Sequence, residues 1–308
     1  MLNILEILKP DDWHVHLREG GMLEMVTKFS SRINHRCIAM PNTSIPITNT
    51  KKAISYKNII KKFSNKDFEP LIPCYLTESL DVNDFRLGLQ KKFFFGAKLY
   101  PANATTNSKS GVTKISNIYN LFEIMEEEDS PLLIHGEKVS ENIDIFDREK
   151  YFIDDELILI REKFPRLRII LEHVSTAYGV KYIKENKKIA GSITPHHMLL
   201  TKKDVFKDDK INPHHYCMPV VKDENDLIEL RKAACENNSK FFLGTDSAPH
   251  PIQEKSSDLN SKPGIFSAPC SIELYAEIFD EENALNNLEI FSSINGPKFY
   301  NVNINTSK

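Results

Sequence analysis

Eight short apolar runs, separated by longer stretches of helical periodicity, constrain this 308-residue chain more than any other feature. The runs are residues 13–17, 37–40, 71–76, 94–100, 132–135, 168–173, 189–194 and 241–245, and each reads as a strand. Between them, Met22, Met25, Val26, Phe29 and Ile33 recur at three- and four-residue steps. Ile54, Ile59, Ile60 and Phe63 make a similar face, as do Val82, Phe85 and Leu89, and then Leu121, Ile124 and Met125. Residues 154–164 carry acidic side chains first and basic ones last, which suits a helix dipole. Ser175 or Thr176 is placed to cap the next helix, and Asp223 the one that reaches Cys235. Residues 271–279 and 283–293 close the chain as helices. Strands alternating with helices in this number predict an α/β fold, a (β/α)8 barrel, built as a single domain over residues 1–308. An open doubly wound sheet is the alternative, but its first strand would lead into a glycine-rich phosphate turn. Here the first strand ends in His-Val-His.

Charge narrows the partners. Lys and Arg number 40 against 43 Asp and Glu, a formal net charge of -3, so no basic field points to nucleic acid. The five cysteines, Cys37, Cys74, Cys217, Cys235 and Cys270, are odd in number and nowhere spaced C-x-x-C. That argues against a disulfide framework and a cysteine-only zinc site, and for small buried thiols in a reducing compartment. The N-terminus lacks the features of a signal peptide, and no apolar run approaches the ~20 residues that span a bilayer. The expectation is a cytoplasmic protein with no membrane partner.

Polar residues stand where several apolar runs stop. His14 and His16 are two apart at the end of the first strand, so their side chains share a face. His135 ends the fifth run and His173 the sixth, while Asp246 follows the eighth. Singly, each also reads as a buried histidine or a capping aspartate, and two histidines flanking a valine arise by chance. Together they differ, because a barrel gathers its strand ends around one mouth. Imidazole and carboxylate suit zinc, and an open coordination position makes such a site catalytic. Lys98 ends the fourth run; it reads either as a lysine reaching for solvent or, if neutral, as an amine able to take up carbon dioxide as a metal-bridging carbamate. The long connections 101–113 and 195–219 follow strand ends, on the face where barrel enzymes build their sites. The pair His196–His197 in the second is read as polar loop residues beside the site that do not ligate.

The strings DDWHVHLR (residues 11–18), PNT (41–43), GAKLYPANATTNS (96–108), HGE (135–137), EHV (172–174), CMP (217–219), GTDSAPH (244–250) and NGPKFY (295–300) together resemble, in order, the motifs of the dihydroorotases of the amidohydrolase superfamily. The shorter bacterial class, class II, is the nearest likeness. The resemblance implies that His14 and His16 bind the more buried of two zinc ions and His135 and His173 the more exposed one. Lys98, as N6-carboxylysine formed from carbon dioxide, would bridge them. Asp246 would ligate the first zinc and serve as general acid/base, with a hydroxide held between the metals as nucleophile. Arg18, Asn42 and His250 would hold a substrate carboxylate, His16 and His135 would also face the substrate, and the backbone of Met218 would read a pyrimidine ring. Thr105 and Thr106 would tip a mobile lid. Residues 251–269 depart from the family pattern, so a contact at Pro263 is the weakest of these transfers.

The activity implied is reversible cyclisation of N-carbamoyl-L-aspartate to (S)-dihydroorotate, in pyrimidine biosynthesis, by a homodimer. Charge supports an anionic substrate: two dications outweigh carbamate, hydroxide and Asp246, and Arg18 adds another positive group. Two other readings compete. A hydantoinase or allantoinase would share the metals but leave Arg18 with no carboxylate. A catalytically dead scaffold for another enzyme would have no need of all six metal-site residues.

Overall fold

The computed structural model describes residues 4–208, 210–258 and 260–308. Its strands are β1 (Asp11–Val15), β2 (Arg36–Ala39), β3 (Glu69–Leu71), β4 (Cys74–Tyr75), β5 (Ala97–Leu99), β6 (Leu132–His135), β7 (Ile169–Glu172), β8 (Ile189–Ile193), β9 (Phe206–Lys207), β10 (Lys210–Ile211) and β11 (Phe241–Leu243). All but β9 and β10 run parallel, in the orders β1-β2-β3 and β4-β5-β6-β7-β8-β11.

Two seams join these arcs into a barrel of eight staves. At the first, β3 and β4 form one stave; the run at 71–76, which the sequence reads as one strand, takes in only the last residue of β3 and all of β4. Pro70 and Pro73 have no N–H to give a ladder. The stave therefore pairs with β2 before Pro73 and with β5 after it. At the second seam the Asp246 N–H donates to the His14 carbonyl (2.8 Å) and the His16 N–H to the Ser247 carbonyl (3.0 Å). Asp12 reinforces it, its buried carboxylate accepting from the Thr245 N–H (2.9 Å) and hydroxyl (2.6 Å).

Alternation along the strands sorts the side chains. Leu132, Ile134, Ile169 and Leu171 pack in the large cluster with the helices, whereas Leu133 and Ile170 join Trp13, Ile38, Met40, Ala190, Phe242 and Tyr300 in a second one. Two residues on from Leu133 and Ile170, His135 and Glu172 share that second face. Trp13 stacks on Tyr300 at 4.4 Å, so helix Asn295–Tyr300 plugs the lower barrel. There Gly296 is required: a Cβ would lie 1.9 Å from the Trp13 indole nitrogen. Trp13 and His14 are adjacent yet Trp13 packs in the inner cluster and His14 in the site, and the register shift between Asp12 and Val15 accounts for the lost alternation.

Other departures from expectation are local. The stretch 195–219 is not a bare connection but holds helices Pro195–Leu199 and Lys202–Val205 and the antiparallel pair β9–β10. The helix expected at 154–164 starts earlier, at Arg148, and passes through a π-helical turn at Ile153–Leu157. Residues 283–293 are 3-10 at Leu285–Asn287 and π-helical at Ile290–Ile294. Thr176 caps helix Ala177–Glu185 through the Gly179 N–H, while Asp223 stands at the start of helix Glu224–Cys235 without a side-chain cap. Four cysteines are buried and Cys270 is exposed. Among the described residues no helix is long and apolar enough to cross a membrane.

Candidate active site

Three ligand-type atoms meet at the second seam. His14 Nε2 and His16 Nε2 are 3.4 Å apart, and Asp246 Oδ1 lies 3.3 Å from the first and 3.1 Å from the second. A tetrahedral zinc shell with bonds of ~2.0–2.1 Å has edges of about 3.3–3.4 Å, so this triangle matches one face of such a shell. His173 and His135 continue the group: the His173 ring centroid is 5.0 Å from His14 and 4.8 Å from His135. His173 Nδ1 is buried and has no hydrogen-bond partner among the described residues, and one ring nitrogen of His173 lies within 4.8 Å of ligand atoms of His14 and Asp246. His173 and Asp246 both hold φ near +44°, the left-handed region that side chains avoid unless the surroundings enforce it.

Lys98 lies beneath, fully buried on β5. Its amine pairs with Glu172 and sits 4.7 Å from the Tyr100 ring. Burial pulls the lysine pKa down against the opposing charge of Glu172. Glu172 Oε1 also approaches His14 Nδ1 to 2.9 Å, a close ionic contact not aligned as a hydrogen bond. Burial would lower His14, but the charges of Glu172 and Asp246 win and raise it to about 9. His16 is pushed down to about 4 by burial. Burial also works to raise Asp246, yet its hydrogen bonds and charge pairing with His14 and His16 hold it well below the usual carboxylate range. Without metal, then, the triangle shares a proton that a bound cation would displace. On β6, His135 Nε2 lies 2.7 Å from Glu137 Oε2, which fixes the ring and leaves Nδ1 free to ligate.

A cavity opens above these residues. His14, His16, Arg18, Asn42, Thr105, Thr106, His135, His173, Met218, Asp246 and Pro263 all line it, together with Tyr100, Ala248 and Gly264. Lys98 and His250 do not. His250 stands behind Arg18, with Nε2 3.0 Å from Arg18 Nη2 and Nδ1 3.2 Å from Glu254 Oε2. Nε2 also lies 3.1 Å from the Pro263 carbonyl, so a donor and an acceptor both face that nitrogen. Burial, then the charge of Arg18, lowers His250 to about 3 and keeps it neutral. Arg18 Nε donates to the Pro249 carbonyl (2.7 Å). The loop 101–113 reaches over the mouth: Asn42 donates to the Thr106 carbonyl and Asn107 to the Asn42 carbonyl, both at 3.0 Å.

Sequence reasoning assigned no role to Glu172, Glu137, Tyr100 or Asp12. Glu172 and Glu137 carried one signal, a carboxylate beside a strand-end histidine. His196 and His197 are not the polar loop residues expected; both are buried in helix Pro195–Leu199.

Comparison with known proteins agrees with this architecture. The amidohydrolase family matches residues 12–307. A dihydroorotase of Buchnera aphidicola subsp. Acyrthosiphon pisum (strain Tuc7) is 46% identical over 305 residues, covering 98% of this chain and 87% of the relative. The crystal structure of dihydroorotase in complex with 5-fluoroorotic acid from Saccharomyces cerevisiae superimposes with a TM-score of 0.90 at 35% identity, over 97% of this chain and 85% of that one. Dihydroorotase from Campylobacter jejuni gives 0.88 at 33% identity, over 98% and 86%. An eight-stave barrel with a histidine and carboxylate cluster at its mouth, and likeness in sequence and backbone along nearly the whole chain, leave one assignment: the chain belongs to the amidohydrolase family, among its dihydroorotases.

Proposed function

We propose that this chain interconverts N-carbamoyl-L-aspartate and (S)-dihydroorotate plus water, the ring-closing step of pyrimidine (UMP) biosynthesis, at a two-zinc centre. The observation that carries the reading is the triangle of His14, His16 and Asp246 opening into the same cavity as Arg18. One relative was solved with 5-fluoroorotic acid, a pyrimidine bearing a carboxylate, which is the chemistry Arg18 is placed to meet.

In this reading His14, His16 and Asp246 hold one zinc, and His135 and His173 the other. Lys98, as N6-carboxylysine, would be the residue shared between them; burial favours the neutral amine that carbamate formation needs. Zinc held by these residues would supply Lewis acidity and a nucleophile at neutral pH. Asp246, whose carboxylate lines the cavity, would take up a proton there and return it at the ring nitrogen of the substrate. Arg18 and Asn42 grip the substrate carboxylate, with His250 steadying Arg18 from behind. Met218 and Pro263, also in the lining, read the ring, and Thr105 and Thr106 cover it. We take the enzyme to be a cytoplasmic homodimer on the strength of the family likeness alone.

The test is ring absorbance on adding either substrate to the purified protein, with and without chelator. Turnover should be lost with the chelator and return with zinc. Lys98→Ala should lose both activity and most bound metal. Normal turnover by the chelated protein would refute the metal centre, and two zinc ions retained by the lysine variant would refute the bridge.

A further inference from the structure

A second group of metal-binding side chains lies outside the cavity. His196 and His197 follow β8 in helix Pro195–Leu199, and Cys217 comes just before Met218. All three are buried, and one ligand atom from each falls within 4.8 Å of the other two. None lines the active-site cavity. His197 is tied on both sides, Nδ1 2.8 Å from the Thr194 hydroxyl and Nε2 3.0 Å from the Pro219 carbonyl. The Cys217 thiol donates to the same carbonyl at 3.2 Å. His196 differs. Among the described residues neither of its ring nitrogens has a hydrogen-bond partner, although the side chain is only 4% exposed.

A buried imidazole with two unsatisfied nitrogens is costly, and native interiors rarely keep one without a reason. Here its ring centroid is 4.8 Å from that of a second imidazole, and the thiol belongs to the same group. Imidazole and thiolate are the donors that borderline-soft ions such as zinc select, and carboxylate-binding ions do not. We propose that His196, His197 and Cys217 form a separate metal site for a zinc-type ion. Zinc–sulfur and zinc–nitrogen bonds of ~2.3 and ~2.0 Å place donors closer together than 4.8 Å, so binding requires the three side chains to draw in around the ion. As the metal–sulfur bond forms, the Cys217 S–H bond breaks and its proton leaves to solvent; no electron is transferred. His197 exchanges one of its two hydrogen bonds for the ion. The result is a clip between the helix after β8 and the segment that carries Met218, one wall of the cavity.

Cobalt(II) tests this, because the active-site cluster contains no sulfur. Metal-free protein in a Cys270→Ser background, which removes the exposed thiol, is titrated with cobalt. Filling the histidine and carboxylate cluster gives visible d–d bands alone. Filling the proposed site adds a near-ultraviolet thiolate-to-cobalt charge-transfer band and one further equivalent of bound metal. Both should vanish in Cys217→Ser, and His196→Gln should weaken that last equivalent at least tenfold while the visible bands persist. Saturated visible bands with no near-ultraviolet band would overturn the proposal and leave a hydrogen-bond knot around the Pro219 carbonyl. A band that survives Cys217→Ser would also overturn it. Should the serine variant not fold, the parent titration and His196→Gln still decide. The two regions of the spectrum report separately, so failure of this site and failure of the two-zinc reading are distinguishable.

Discussion

Replacing Arg18 by lysine tests whether the cavity is built for a carboxylate. The guanidinium has five N–H donors. The structure commits Nε to the Pro249 carbonyl and one hydrogen of Nη2 to His250. That leaves the other Nη2 hydrogen and both on Nη1, enough for a two-pronged grip on one carboxylate. Lysine keeps the charge but not the fork. Charge-assisted hydrogen bonds are worth about 1.5 kcal/mol each at the low end, so losing two weakens binding by roughly 3 kcal/mol, or about 100-fold. The carboxylate sits away from the bond that opens, so the loss should fall on KM, with kcat changed only a few-fold. Steady-state kinetics on dihydroorotate measures this, with dihydrouracil, the same ring without its carboxylate, as control. Arg18→Lys should treat the control almost as the parent does. A KM shift below threefold on dihydroorotate, or an equal loss on both substrates, would refute a carboxylate-binding role for Arg18.

Three further outcomes are expected. Asp246→Asn should cut turnover about 1,000-fold, within the range of general acid–base catalysis, while elemental analysis still finds metal; parental turnover would remove Asp246 from proton transfer. Shortening the loop 101–113 between its bridged ends at Pro101 and Val112 should lower kcat tenfold or more with the melting temperature little changed, and an unaltered rate would make the loop a mere connector. Glu149, 1% exposed, accepts from the N–H and hydroxyl of both Ser175 and Thr176. Glu149→Ala should destabilise the protein by about 3 kcal/mol in urea denaturation, because four buried donors lose their acceptor; less than 1 kcal/mol would show that water replaces it freely.

The staves were legible because each is a compact apolar run, and the candidate site positions because several of those runs stop at a polar residue. Periodicity could not show that Pro70 and Pro73 divide the third stave, since that depends on which neighbour each half meets. The π-helical turns at Ile153–Leu157 and Ile290–Ile294 evade a 3.6-residue template for the same kind of reason: an extra residue per turn breaks the pattern where it occurs. Among the site residues, Arg18, Asn42 and Met218 reach the cavity as the family motifs imply, whereas His250 is placed one layer back, against Arg18. Glu172 stayed hidden because its meaning is relational. A glutamate before a histidine is unremarkable until folding sets His14 on one of its oxygens and Lys98 on the other.

The second seam has a consequence for biosynthesis. His14 and His16 leave the ribosome first, and Asp246 emerges more than two hundred residues later. A nascent chain that stops short of β11 therefore offers two imidazoles but lacks the carboxylate that completes the triangle. Metal capture by all three groups would have to await synthesis of β11. An ion seated there would then act as a rivet between β1 and β11, resisting release of the first stave from the last.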